Sequence, residues 1–241
     1  MAFSLDKIKK NTTGAPRIIL YGTAGIGKTT FAASAPDPVF IQCEDGLGMI
    51  DAPAAPLAEK YSDVKEQLEF FAMSDEHDFS TLALDSLDAL EPMIWASVCE
   101  AGGKKQISDF SYGKGYDAAL EEWRFVQGAI NTCRDRGMIT IMIAHAHAVK
   151  FESPDSDAYD RYNVRLHRKA SALWTDWADV VGFANYQSTV VAAEGDRKRA
   201  VGKGERILFT EERPQYVAKN RFGLPHKLPL SWDAFMEAMP S

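Results

Sequence analysis

The chain is poor in cysteine and has no long apolar run, and both shortages narrow what it can be. Its three cysteines, Cys43, Cys99 and Cys133, are odd in number, far apart and in no CxxC pair, which speaks for reduced, buried thiols against disulfides or zinc ligands. No stretch approaches the roughly eighteen apolar residues needed to span a bilayer. The start, MAFSLDKIKKNTTG, lacks the apolar core of a secretion signal. No membrane partner and a cytoplasmic location are therefore expected. Positive charge is short as well: 27 Lys and Arg against 34 Asp and Glu leave a formal net charge of −7, so any polyanion has to be met by local patches. What is present, 46% hydrophobic and 25% charged residues over 241 positions, suits one globular α/β domain with a sizeable core.

The clearest positive signal is GTAGIGKTT. Gly22, Gly27, Lys28 and Thr29 satisfy GxxxxGK[ST] directly after the strand-like run RIILY, and KTTFAASA supplies a helix up to Pro36. The chemistry needs that order, because glycines let the backbone wrap around phosphates with its N–H groups inward and the helix adds the positive end of its dipole. Lys28 should reach the β- and γ-phosphates and Thr29 should hold Mg²⁺. The nucleotide cradle is then Gly22, Thr23, Ala24, Gly25, Ile26, Gly27, Lys28, Thr29 and Thr30. A second strand, in FSTLALDSLDAL, ends at Asp85 and offers a metal-organising carboxylate. Asp85 or Asp88 could equally cap the helix that follows. Many P-loop ATPases place the water-activating glutamate directly after this aspartate, but here the neighbour is Ser86, so the base has to come from elsewhere.

PVFIQCEDGLG carries a strand-like run from Val39 to Cys43 ending at Glu44, which would stand beside the γ-phosphate. The alternative is that Glu44 and Asp45 are solvated residues before a glycine turn. FIQCEDGL resembles the corresponding stretch of RecA-type recombinases, and that resemblance implies that Glu44 activates the attacking water. GMITIMIAHAH is continuously apolar and is expected to be a buried central strand. In RecA-like proteins a polar residue at the tip of this strand, often glutamine, contacts the γ-phosphate and passes the nucleotide state to a DNA-binding loop. His145 matches that position, with histidine as a departure. His147 shares its strand face, and no third ligand that would make the pair a metal site is visible nearby.

YVAKNRFGLP puts Lys219 and Arg221 on one side of a short strand. RecA carries a K-N-K triplet near the end of its core and RecA-like hexameric helicases a similar pair, both reaching into the neighbouring subunit's ATP site. AKNR is similar to them, which implies that Lys219 and Arg221 are trans-acting fingers, an effect worth roughly 10³ to 10⁵ in rate. It also implies a homo-oligomer, ring or short filament. A solvated cationic edge strand is the other reading.

Two segments bear on a further partner. EAGGKKQISDFSYGKGYD contains Lys104, Lys105, Tyr112 and Lys114, and VKFESPDSDAYDRYNVRLHRK contains Arg161, Arg165, Arg168 and Lys169. In RecA-like proteins these positions are the two DNA-binding loops, and cations with stacking aromatics suit single-stranded DNA. Arg197, Lys198, Arg199, Lys203 and Arg206 form a third basic stretch, equally explained as a solvated hairpin tip.

VKEQLEFF and YDAALEEWRFVQGAINTC read as amphipathic helices, the second with Ala119, Trp123, Val126, Ile130 and Cys133 toward a core. The segment from Asp179 to Arg221 reads as a meander of short strands. The expected fold is an α/β RecA-like P-loop core, a mostly parallel sheet flanked by helices with antiparallel strands at its C-terminal end. It would be a single domain over 1–241, with a short arm at 1–16, the core at 17–225 and a tail at 226–241. The chain most resembles small phage-encoded RecA-like ATP-binding and single-strand annealing proteins. That implies ATP and Mg²⁺ as cofactors, single-stranded DNA as partner, and a single-strand-binding protein as a further one. In place of the N-terminal helix and strand by which bacterial RecA docks onto its neighbour, this chain offers an arm through Phe3 and Leu5. A ring-shaped helicase-like motor or helicase loader, and an ATP-gated protein switch without DNA, are rival readings.

Overall fold

The computed structural model describes residues 14–153, 156–187, 189–192, 198–201 and 204–240. Phe3 and Leu5 of the expected arm, and Arg197 and Lys203 of the third basic stretch, lie outside them. The chain runs β1 (Arg17–Gly22), α1 (Lys28–Ala33), β2 (Pro38–Gln42), α2 (Tyr61–Met73), β3 (Thr81–Asp85), α3 (Leu87–Ala101), α4 (Lys114–Asp135), β4 (Ile139–Ser153), β5 (Ser156–Val164), α5 (Arg168–Trp177), β6 (Val180–Tyr186), β7 (Thr189–Ala192), β8 (Lys198–Val201), β9 (Arg206–Phe209), β10 (Lys219–Asn220), β11 (Lys227–Pro229) and α6 (Trp232–Ala238).

Continuous apolar runs become strands covered on both faces. In β1, Ile18 and Leu20 pack with Phe31 of α1 and Phe235 of α6, while Ile19 and Tyr21 pack with Leu68 of α2, Ile94 of α3 and Trp123 of α4. The side chains alternate between faces with the strand period of two, so no position in the run stays wet. Burying each such aliphatic chain stabilises the fold by roughly 1.5–3 kcal/mol. Trp123 and Trp174 meet edge to face with centroids 5.5 Å apart, tying α4 to α5. The expected core residues of α4, Ala119, Trp123, Val126, Ile130 and Cys133, are all buried, as are the free thiols of Cys43, Cys99 and Cys133. Gly137, at φ 97°, ends α4 in the left-handed conformation that glycine adopts without strain.

The strand order β2-β3-β4-β1-β6 is parallel, and β9 and β11 extend the sheet antiparallel beyond β6, with β10 pairing antiparallel to the start of β6. This is the mostly parallel α/β sheet expected. The anticipated meander is interrupted, because β7 and β8 pair with each other in a separate two-stranded sheet. Parallel strands put all their C-terminal ends on one edge, and ligands of open α/β sheets bind there. Gly22 is level with His145, and Gln42 with Asp85, so the loops that follow β1, β2 and β3 meet at one place.

One element departs from the loop expected after His145. β4 continues past the sheet and pairs antiparallel with β5 from Ala146↔Val164 to Ser153↔Ser156. Tyr162 of this hairpin bridges to Tyr216, and Phe151 and Tyr159 rings lie 5.5 Å apart on it. The polar look of the sequence hid a ribbon whose stability comes from cross-strand pairs.

Candidate functional site

The turn after β1 and the start of α1 form a cradle. Gly27, at φ 106°, is the N-cap of α1, a conformation closed to most side chains, so the glycine of the motif is required by the backbone. Lys28 is buried and its Nζ donates to the carbonyls of Gly22, 3.2 Å, and Thr23, 3.0 Å. Burial lowers its pKa, opposed by the nearby Asp85, Asp88 and Glu44 carboxylates.

Thr29 Oγ1 donates to Asp85 Oδ2 at 2.9 Å, joining α1 to the end of β3. Burial raises the Asp85 pKa, with the Thr29 hydrogen bond pulling the other way. The Thr29 hydroxyl and Asp85 carboxylate are hard oxygen donors side by side, the chemistry that suits Mg²⁺ and not a soft metal. Those two side chains would hold the ion.

Ser86 gives the corner its order. Its Oγ accepts from Ala89 N at 3.3 Å, capping α3, so the cap is neither Asp85 nor Asp88. The same hydroxyl donates to Glu44 Oε1 at 2.5 Å and fixes the carboxylate beyond β2. Asp88 accepts instead from His145, from the backbone N at 2.8 Å and in contact with Nδ1 at 3.1 Å, and from Arg165 Nε at 2.9 Å. Burial alone would raise the Asp88 pKa, but the hydrogen bonds from His145 and Arg165 outweigh it and hold the carboxyl well below the usual range. His145 Nδ1 also stands 3.9 Å from Glu44 Oε1.

Lys28, Thr29, Glu44, Asp85 and His145 thus line one cleft of about 410 Å³, together with Gly25, Gly27, Thr30 and Arg206. Glu44 sits in the loop after β2 with its side chain 36% exposed, and the Ser86 hydroxyl ties its carboxylate into the lining of this cleft. Sequence reading missed Ser86 as the residue that orients Glu44, Asp88 as the holder of His145, and Arg206 as a lining residue. A serine three positions before Ala89 at a helix start was an available signal for the first. His147 stays on the same strand, its pKa lowered by burial and then by Arg165. Among the described residues no group of three or more His, Cys, Asp or Glu could hold a metal ion.

Lys219 and Arg221 stand elsewhere. Lys219 pairs with Val181, which is level with Ile19, three residues back along β1 from Gly22. Its Nζ donates to the Thr175 and Asp176 carbonyls, 3.0 and 2.6 Å, at the C-terminal end of α5. Arg221 Nη1 lies 3.1 Å from Asp179 Oδ1, a buried carboxylate that Arg17 also holds at 2.9 Å. Neither side chain lines the cleft of its own chain.

The nucleic-acid candidates divide. Lys104, Lys105 and Lys114 are exposed, and Tyr112, at φ 56°, is fully exposed. In the second segment Arg161 pairs with Glu212 and lies over the Phe151 ring, Arg165 pairs with Asp88, and Lys169 pairs with Asp117. Arg168 is exposed. Cations already paired with carboxylates are less available to a phosphate backbone, so this segment offers fewer free cations than its composition implied.

A phosphate cradle at the head of α1, with one acid at the end of β3 and another held just beyond β2, defines a P-loop nucleotide site in an α/β fold. The family model described as an AAA domain (AAA_24) matches residues 15–222, and the chain belongs to that family. Among curated proteins no sequence match was found. A solved structure, that of the RadB recombinase, aligns with a TM-score of 0.48 and 10% identity over 92% of this chain and 90% of its own. A likeness that slight says nothing of what this chain does. No helix among the described residues is long and apolar enough to cross a membrane.

Proposed function

We propose that the chain is, as one domain, an ATP-hydrolysing, single-stranded-DNA-binding recombination or annealing protein. The observation that carries the reading is the convergence of Lys28, Thr29, Glu44, Asp85 and His145 from different strand ends onto one cleft. Lys28 and the cradle N–H groups take the β- and γ-phosphates, and Thr29 and Asp85 hold Mg²⁺. The ion, when bound, neutralises charge on the phosphate oxygens. Glu44, steadied by Ser86, takes a proton from the attacking water. The new P–O bond forms as the bond from the γ-phosphorus to the bridging oxygen breaks, and ADP leaves with that electron pair. His145 senses the γ-phosphate through a position fixed by Asp88, and β4 carries that state directly into the hairpin. The exposed Lys104, Lys105, Tyr112 and Lys114 support contact with single-stranded DNA, by phosphate pairing and base stacking.

Glu44→Gln tests the central step, because it keeps size and the Ser86 hydrogen bond but removes the base. ATP should bind with affinity close to that of the unaltered protein while turnover falls by orders of magnitude. Normal turnover in Glu44→Gln would move the base elsewhere, and loss of ATP binding in Lys28→Ala checks the cradle independently.

A further inference from the structure

Arg206 brings a second cation to the cleft that holds Lys28. As the first residue of β9 it is fixed by pairing with Tyr186 and by the Leu230 N–H, which donates to its carbonyl at 3.0 Å. Its Nη1 lies 3.0 Å from where a Cβ on Gly27 would stand. The side chain lines both the main cleft and an adjoining recess of about 130 Å³ walled by Thr30, Phe31, Ser34, Trp232 and Asp233. Among the described residues no ion pair joins it to a carboxylate. An exposed guanidinium aimed over a phosphate cradle, and unpaired there, has an anion as its natural partner.

We propose that Arg206 binds the nucleotide in cis, on the α- and β-phosphates, at the junction between the cleft and the recess. The inference rests on the nucleotide reading above. Glu44, Asp85 and His145 mark the reacting end of the cleft, and Arg206 leans instead on Gly27, on the side of the recess. A contact there meets the part of the ligand that ATP and ADP share. It strengthens ground state and transition state equally, so it sets affinity and not the chemical step. Arg206 is thereby assigned to the nucleotide and taken out of the third basic stretch.

The test is titration of Arg206→Ala and Arg206→Lys with MgADP and with MgATP, alongside steady-state kinetics and single-stranded DNA binding over a salt series. Arg206→Ala should weaken both nucleotides alike, roughly ten- to hundredfold, as expected for loss of a charged hydrogen bond. KM should rise by a similar factor with kcat within about twofold. Arg206→Lys should recover part of the affinity, and the DNA salt slope should not move. Unaltered ADP affinity in Arg206→Ala would overturn the inference, as would a loss confined to DNA binding or to kcat. Failure of the unaltered protein to bind MgADP would be a different result, overturning the nucleotide reading itself.

Discussion

A single hydroxyl, on Ser86, fixes a second carboxylate in a cleft whose Asp85 has no glutamate directly after it, and in the proposed reaction that carboxylate is the base. The hydroxyl caps α3 and orients Glu44 from across β2 and β3. Within the first two turns of α3, two acids are shifted in opposite directions. Asp88 is held ionised by His145 and Arg165, whereas Glu91 is buried and its carboxyl is pushed up to about 7 by that burial, opposed by the His167 N–H it accepts. A carboxyl whose folded pKa lies above its unfolded value of about 4.3 keeps an extra proton in the native state through that window, so stability falls as pH rises from roughly 4.3 to 7. Glu91→Gln keeps an acceptor for His167 and removes the titration. Chemical denaturation at about pH 5 and pH 8 should show the unaltered protein losing on the order of 1–3 kcal/mol more than the variant. Parallel loss in both would contradict the burial argument. At this scale the sequence was legible where chemistry is contiguous, as in Gly22 to Thr30. It was not legible where one residue acts on another 42, 57 or 77 positions away, as in Ser86 with Glu44, Asp88 with His145, and Asp88 with Arg165.

At the scale of elements, strands and helices were readable because burial on two faces writes a continuous apolar run, as in Ile18–Tyr21 and Ile139–Ala144, and helix packing writes spacings of three and four, as in α4. The β4–β5 hairpin was not, because its residues pair with each other instead of filling a core. In it and just after it Arg161, Arg165 and Lys169 are paired, so under the proposed function the segment between α3 and α4 is the stronger candidate for DNA contact. Replacing Lys104, Lys105 and Lys114 with alanine together should weaken single-strand binding and flatten its salt dependence, by up to roughly 0.7 in log–log slope for each lost phosphate contact. An identical slope in the triple variant would remove this segment from the interface.

For the whole molecule, the proposed trans fingers would complete each site between copies. Lys219 and Arg221 lie off their own cleft and serve α5 and Asp179 in their own chain, which fits either an internal brace or the proposed trans fingers. Asp179 keeps Arg17 and Arg134 when Arg221 is removed, so Arg221→Ala should fold and bind ATP but hydrolyse it far more slowly if the finger role holds. Mixing it with Glu44→Gln should rebuild some complete interfaces and restore part of the activity. A mixture no more active than the sum of its parts, once subunits are seen to exchange, would reject the trans assignment. Under the proposed function this cleft hydrolyses ATP and single-stranded DNA is what it works on. The most direct measurement is the ATP hydrolysis rate of the unaltered protein with and without single-stranded DNA across a salt series. The prediction is stimulation by DNA that fades as salt rises; equal rates with and without DNA at every salt concentration would contradict it.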